Sequence, residues 1–283
     1  MEIPKYPTPE TSLVPEGQLG PMSPGEILNK AFTIYGAHAR KLWLAAAVTV
    51  IPAELLELAI KSATVPAGSQ LMNGKLYLPY GSNGGYAASS LITSVIVYLV
   101  QLISLGAITR LVLKNLGGDT TADLREALNF AVDRVLGMFW VAVLVGVTIV
   151  IGFVFIIIPG IYFAIGLALA VTIVIAEGLG GTKAMRRSFD LVQSRWWATL
   201  GRVLLGALVA AVPTVVLTLL AVPAIVKAFG SSGPFLLFLV AAVIGILISI
   251  VIVPFTTAFT TLIYVDLRAR KEGPLDPHDL VSY

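Results

Sequence analysis

Long stretches without a charged residue dominate the hydropathy pattern of the chain. Residues 135–176 form a run of 42 residues with no Asp, Glu, Lys or Arg, and two further uncharged runs cover 203–226 and 228–265. At a rise of about 1.5 Å per residue, the first run gives about 63 Å of helix, enough to cross a hydrocarbon layer of about 30 Å twice. The pattern therefore predicts membrane-spanning helices.

The limits of the apolar segments predict six spans, with short connections between most of them. Pro159-Gly160 predicts a tight turn between the third and fourth spans. Only the connection at 61–86 is long, and Asn73-Gly74 followed by Leu76-Tyr77-Leu78 predicts a short β-hairpin within it. The six predicted spans are 42–60, 87–113, 137–157, 161–176, 199–226 and 235–265.

The basic residues are divided unevenly between the two ends of these spans. Of the 19 Lys and Arg residues, 16 lie before the first span, after span six, or at or between the facing ends of spans two and three or of spans four and five. The other three are Lys61, Lys75 and Lys227. The positive-inside rule therefore predicts that the basic side is cytoplasmic and that both termini lie there.

The ends of the chain are polar. Residues 1–22 are rich in proline and lack the basic and apolar regions of a signal peptide, which predicts a disordered cytoplasmic tail. We expect residues 23–273 to form the transmembrane domain and residues 274–283 to form a cytoplasmic C-terminal tail. The chain is 57% hydrophobic and 12% charged, whereas soluble domains carry about 25% charged residues.

A short amphipathic segment precedes each odd-numbered span, and the three segments resemble one another. Residues 28–34, 124–130 and 185–191 share the order apolar, polar, charged, small, apolar, small polar, apolar. Ser23-Pro24-Gly25-Glu26 predicts a capping box at the start of the first segment. The fold class that follows is an all-α membrane protein of three parallel repeats, each an interfacial helix plus a transmembrane hairpin. Convergence among basic amphipathic helices is the alternative explanation.

Basic residues in and after these segments predict contacts with anionic lipid headgroups or with a partner protein. The acidic residues Glu177 and Asp266, at the basic ends of spans four and six, predict ion pairs with Arg186, Arg187 and Arg195. The candidate lipid or partner contacts are Lys30, Arg40, Lys41, Arg125, Arg134, Arg186, Arg187 and Arg195.

Two acidic residues lie within the first apolar span. Glu54 is about 12 residues into it, roughly 18 Å along the helix, and Pro52 removes a backbone donor just before it. An ionisable residue at such a depth indicates a functional site, here an ion-binding or transport pathway that includes Glu57. In the other interpretation the span is short, and both residues lie near the outer headgroups with Glu57 paired to Lys61.

The sequence lacks the residue sets of common catalytic and metal sites. There is no cysteine, and the two histidines have no ligand cluster at metal spacing. Neither a nucleophile–base pair nor a phosphate-binding loop can be assembled. We therefore expect no enzymatic activity, no metal and no cofactor, and the position of the basic residues beside apolar helices disfavours nucleic acid as a partner.

Four motifs in a fixed order carry a family resemblance that covers about residues 24–273. The motifs are residues 25–35, 158–162, 184–189 with 195–196, and 264–273. With them the chain resembles the glycerophosphoryl diester phosphodiesterase membrane-domain family, whose members occur alone in many bacterial proteins and sometimes precede a soluble phosphodiesterase barrel. The resemblance implies a bacterial inner-membrane protein. Since about ten residues follow the last motif, we expect no barrel and no inherited active site.

Two functions remain open. The first is a non-enzymatic scaffold or accessory subunit that engages anionic phospholipid, or another membrane or cytoplasmic protein, through its basic interfacial helices. The alternative is a transporter or channel for a small solute, ion or lipid with Glu54 in the pathway. The alternative predicts a polar cavity between helices that reaches Glu54.

Overall fold

The structure of the protein is a computed structural model. It describes residues 18–64, 70–72, 75–77, 83–119, 122–229 and 234–280, and the side chains of residues 18–60, 87–119, 122–220, 240 and 243–280. Most of the predicted N-terminal tail, the Asn73-Gly74 pair and the predicted connection at 230–233 lie outside the described residues.

The described chain is mostly helical. One short antiparallel hairpin pairs Gln70–Met72 with Lys75–Tyr77, which confirms the predicted hairpin at Leu76 and Tyr77. Two short 3-10 helices cover Gln193–Arg195 and Pro277–Leu280. The α-helices are α1 Pro24–Thr64, α2 Asn83–Leu116, α3 Leu124–Phe155, α4 Ile157–Gly166, α5 Ala170–Glu177, α6 Gly181–Val192, α7 Trp196–Phe229 and α8 Pro234–Glu272.

Six stretches of the described chain are long and apolar enough to cross a membrane, so the chain is a multi-pass membrane protein. This confirms the predicted number of spans. Among the described side chains, large apolar ones remain exposed along the middle of α3 and along α7. The candidate spans are Pro24–Ile60, Ala87–Leu116, Leu124–Phe155, Ile157–Glu177, Gly181–Leu220 and Val243–Glu272.

The predicted turn at Pro159-Gly160 is wrong. The chain reverses at Ile156, which has extended backbone angles, and Pro159 lies in the first turn of α4. A proline is tolerated there because the first backbone N–H groups of a helix have no partner within it. Gly160 serves packing instead: a Cβ on Gly152 of α3 would lie 2.9 Å from the Gly160 Cα.

A kink at His38 divides α1 into two parts. Before the kink, the capping box is confirmed, because Ser23 N donates to Glu26 Oε2 and Glu26 N donates to Ser23 Oγ. A side-chain relay joins the first part to α8: Trp43 Nε1 donates to the Tyr35 hydroxyl, which donates to the Val251 carbonyl over 2.8 Å. Pro254 lies three residues further along α8 and has no N–H to donate to the Ile250 carbonyl.

The fourth span is interrupted between α4 and α5. Residues 167–169 form a turn, and Ser188 of α6 crosses to it: its Oγ donates to the Gly166 carbonyl over 2.8 Å and accepts from Leu169 N over 3.2 Å. Backbone groups within a membrane domain must be satisfied by protein when the helical ladder stops. Ser188 therefore stabilises the break between α4 and α5.

The described ends of the chain pack onto one another. Leu19 and Leu275 form an antiparallel bridge with two 2.9 Å hydrogen bonds. Met22 and Leu280 are buried. Residues 18–22 and 275–280 were included in the predicted tails, and in the structure they cover the end of the helical bundle.

Candidate functional site

A cavity of about 300 Å³ lies between four helices and reaches Glu54. Its volume is at the lower end of the range found for small-molecule sites. The residues that line it are Val50 and Glu54 of α1, Tyr98, Gln101, Leu102, Ser104 and Leu105 of α2, Val171 of α5, and Ser249, Val253, Thr256 and Thr257 of α8.

The structure separates the two acidic residues of the first span. Glu54 is partly buried and contributes to the cavity wall, whereas Glu57, three residues further along, is not among the lining residues. Pro52 precedes Glu54 by half a turn and has no N–H to donate to the carbonyl four residues earlier. The side chain of Lys61, the partner expected for Glu57 at the outer interface, lies outside the described residues.

Ser104 is the most enclosed polar residue of the cavity wall. Its side chain is 1% exposed, and its Oγ has no hydrogen-bond partner among the described residues. A buried hydroxyl without a partner costs about 1–3 kcal/mol. Thr256 differs, because its hydroxyl donates to the carbonyls of Ile252 and Val253 within its own helix. Ser104 therefore places at the cavity wall a buried hydroxyl that no described residue satisfies.

Glu54 is the acidic residue of the cavity wall in the described part of the chain. The lining residues in the described part of the chain include one carboxylate and no Lys, Arg or His. Hydroxyl and amide oxygens from α2 and α8 add further acceptors. Low-dielectric surroundings strengthen the field of such a carboxylate, so the wall favours a cation or a neutral polar molecule over an anion.

A second polar group, the Asp266 cluster, consists of Asp266, Arg202, Arg270 and Met22. Asp266 is fully buried, and its carboxylate accepts from Arg270 Nε at 2.9 and 3.0 Å and from Met22 N at 2.6 Å. Arg202 Nη1 lies 2.8 Å from Asp266 Oδ2, although its N–H does not point along that line. Arg270 also donates to the Met22 carbonyl. The cluster ties the N-terminal segment to α7 and α8.

A neighbouring group, the Glu177 cluster, connects α5, α6 and α8. Arg187 Nε donates to both oxygens of Glu177 at 2.9 and 3.0 Å, and the Tyr264 hydroxyl donates to Glu177 Oε1 at 2.9 Å. Glu272 completes it by pairing with Arg187 and Arg268. The predicted Glu177–Arg187 pair is confirmed. Asp266, however, pairs with Arg202 and Arg270 rather than with the predicted Arg186 and Arg195.

The predicted basic contact residues fall into two groups. Several serve contacts within the protein: Lys41 donates to the Ala122 carbonyl over 3.2 Å, and the Arg134 guanidinium lies 3.7 Å from the Phe130 ring centroid. Lys30 is partly buried, and Arg187 belongs to the Glu177 cluster. The exposed residues, which are accessible to a lipid or partner, are Arg40, Arg125, Arg186 and Arg195.

Sequence reasoning missed most of the cavity wall. Gln101 and Ser104 of α2 and Ser249 of α8 are polar residues within apolar spans, and that signal was present in the sequence. It was weak because serine and threonine are common in membrane helices, where they bond to their own backbone. Thr256 and Thr261 do so here. In the described residues, no group of three or more His, Asp or Glu could hold a metal ion.

No family model, curated protein or solved structure matches this chain. The resemblance to the glycerophosphoryl diester phosphodiesterase membrane-domain family therefore stays a prediction based on its four motifs.

Proposed function

We propose that the protein binds a small cation or cationic solute within its membrane domain and moves it across the bilayer. The observation that carries the proposal is the cavity between α1, α2, α5 and α8, in which Glu54 provides a carboxylate and Ser104 an unused buried hydroxyl. Ionisable residues in membrane helices are costly to retain and mark ion and substrate pathways.

Binding can be tested on the purified protein with chloride salts of sodium, potassium and methylammonium as probes. A ligand that binds only the folded state stabilises it by about 2.7 kcal/mol at one hundred times its Kd. We expect one probe to raise the unfolding temperature of the wild type in detergent, and Glu54→Gln to remove that increase.

Glu57→Gln is the matched control, because Glu57 lies on the same helix and does not line the cavity. It should retain the cation-dependent increase. The proposal fails if none of the three cations stabilises the wild type, or if Glu54→Gln and Glu57→Gln behave alike. Flux of the stabilising cation into liposomes that contain the protein then distinguishes transport from binding alone.

The orientation and the repeat belong to the proposal as well. We propose a bacterial inner-membrane protein with both termini in the cytoplasm, supported by the division of 16 to 3 basic residues. A fluorescent-protein fusion at the C-terminus should then fluoresce, and a tag inserted between Asn73 and Gly74 should be accessible from outside the membrane. The opposite result would reverse the orientation.

The threefold repeat is supported by the small residue at the shared motif position. Ala31, Ala127 and Ser188 are each 0–1% exposed. The junctions that follow differ: a kink at His38 in α1, a continuous helix in α3, and a 3-10 turn after α6. If the segments are copies of one unit, Ala31→Leu and Ala127→Leu should destabilise the protein to a similar extent, and Ser188→Leu should cost more because it also removes the hydrogen bonds to Gly166 and Leu169.

A second candidate function, a scaffold or accessory subunit, is favoured by the four exposed arginines of the amphipathic segments. Arg40, Arg125, Arg186 and Arg195 are available to anionic headgroups or to an acidic partner surface. Binding of the protein to a partner should then fall when these arginines are replaced, whereas Glu54→Gln should leave it unchanged.

A further inference from the structure

A groove of about 640 Å³ runs along α6 on the outside of the helical bundle. Thr148 of α3, Phe163 of α4 and Leu167 of the interhelical turn form one wall. Met185 and Phe189 of α6 face them, and the rings of Phe163 and Phe189 lie 6.4 Å apart. The Thr148 hydroxyl donates to the Leu144 carbonyl of its own helix, so this wall offers little to a polar ligand.

The rim of the groove is basic. Lys183 and Arg186 line it, are exposed, and are three residues apart on α6, which places them on one side of the helix. Neither pairs with a carboxylate among the described residues. The other charged residues of the lining already form ion pairs within the protein: Arg187 pairs with Glu177, and Asp190 pairs with Lys271.

We infer that this groove binds one phospholipid with an anionic headgroup, its phosphate at Lys183 and Arg186 and an acyl chain along Phe163, Leu167 and Phe189. The two unmatched cations complement a headgroup of net negative charge. The ammonium of phosphatidylethanolamine would add a third positive charge beside them, which disfavours that lipid. The groove deepens the second candidate function by naming the lipid class, and it shares no lining residue with the Glu54 cavity.

Native mass spectrometry of the detergent-purified protein can count bound lipids during titration with phosphatidylglycerol or phosphatidylethanolamine. We expect one phosphatidylglycerol to bind in preference to phosphatidylethanolamine. The double variant Lys183→Ala/Arg186→Ala should weaken its binding about 30-fold, the factor for two basic residues near a membrane surface. Inorganic phosphate should not compete, because it has no chain to occupy the groove.

The matched control is Arg40→Ala/Arg125→Ala, which removes two exposed cations that do not line the groove. It should keep the one preferred phosphatidylglycerol site, because any headgroup contacts at these two arginines lie outside the groove. The conservative double variant Lys183→Arg/Arg186→Lys should also bind, which separates loss of charge from loss of folding. Equal loss in both alanine pairs, equal binding of the two lipids, or competition by phosphate would overturn the inference. Since the Glu54 variants are not involved, failure here leaves the cation proposal standing.

Discussion

The Asp266 cluster and the Glu54 cavity place a carboxylate in different surroundings. Both oxygens of Asp266 accept from Arg270, one also accepts from Met22 N, and Arg202 lies within ion-pair distance, so the cluster links three parts of the chain. Around Glu54, polar groups of α2 and α8 line an open volume, and Ser104 keeps a hydroxyl without a partner in the described chain. The first arrangement supports structure, and the second preserves the capacity to bind. Comparing variants of the two regions tests this distinction.

The largest effect is expected for Asp266→Ala. The substitution leaves Arg202 buried beside Arg270 without its counter-charge, and breaking a buried pair from one side costs about 3–5 kcal/mol. Unfolding in detergent micelles, followed by circular dichroism, measures the change. Asp190→Asn removes a more exposed pair with Lys271 and should cost less than about 1 kcal/mol. Equal losses in the two variants would contradict the structural role of the cluster.

Ser188→Ala should come next, at about 2 kcal/mol. The variant removes the hydrogen-bond partner of the Gly166 carbonyl and of the Leu169 N–H at the break between α4 and α5, and both groups are buried. Thr218→Ala provides the comparison, because the Thr218 hydroxyl donates to the Thr214 carbonyl of its own helix, on an exposed stretch of α7. The same unfolding measurement applies. A loss for Ser188→Ala no greater than for Thr218→Ala would show that the break is stabilised by other contacts.

A smaller loss, of about 1 kcal/mol, is expected for Gly206→Ala. A Cβ at this position of α7 would lie 2.5 Å from the Phe259 ring, so the ring and α8 must shift. Gly201→Ala, five residues earlier on the same helix, meets nothing within 4 Å and should be neutral or slightly stabilising. Both variants change helix propensity in the same way. The difference between their free energies of unfolding therefore measures the effect of the close approach between α7 and α8.

The smallest effect on stability is expected for Glu54→Gln in the absence of added cation. Replacing the Glu54 carboxylate by an amide of the same size should leave the free energy of unfolding within about 1 kcal/mol of the wild type. Thermal unfolding without probe cations measures it. A loss as large as that of Asp266→Ala would make Glu54 a structural residue and remove the contrast between the two regions.

Several features were predictable from local sequence. The capping box of Ser23 and Glu26 and the hairpin at Leu76-Tyr77 depend on residues a few positions apart, and the structure contains both. The predicted turn at Pro159-Gly160 failed for an instructive reason. Proline and glycine mark turns, but they also suit the first turn of a helix and a close helix contact, and the neighbouring helix α3 decides between these roles.

The candidate site was predictable only in part. Glu54 stood out because a carboxylate in an apolar span is rare, whereas Ser104 and Thr257 did not stand out among the many hydroxyl residues of the spans. Their presence in one cavity depends on how α2 and α8 pack against each other and on the rotation of each helix about its axis. Similarly, Asp266 had several candidate arginines in the sequence, and the packing of α7 beside α8 selected Arg202.

The sequence by itself determined six apolar stretches of spanning length, their polar connections and the accumulation of basic residues at one set of ends. These features follow from composition and from the 3.6-residue helical period, which act along the chain. Only the tertiary structure decided that Ser188 satisfies a break in another span, that Asp266 meets Arg202 and Arg270, and that Glu54 and Ser104 share a cavity. Such pairings depend on the crossing angles and rotations of helices, which side-chain packing sets across long sequence separations.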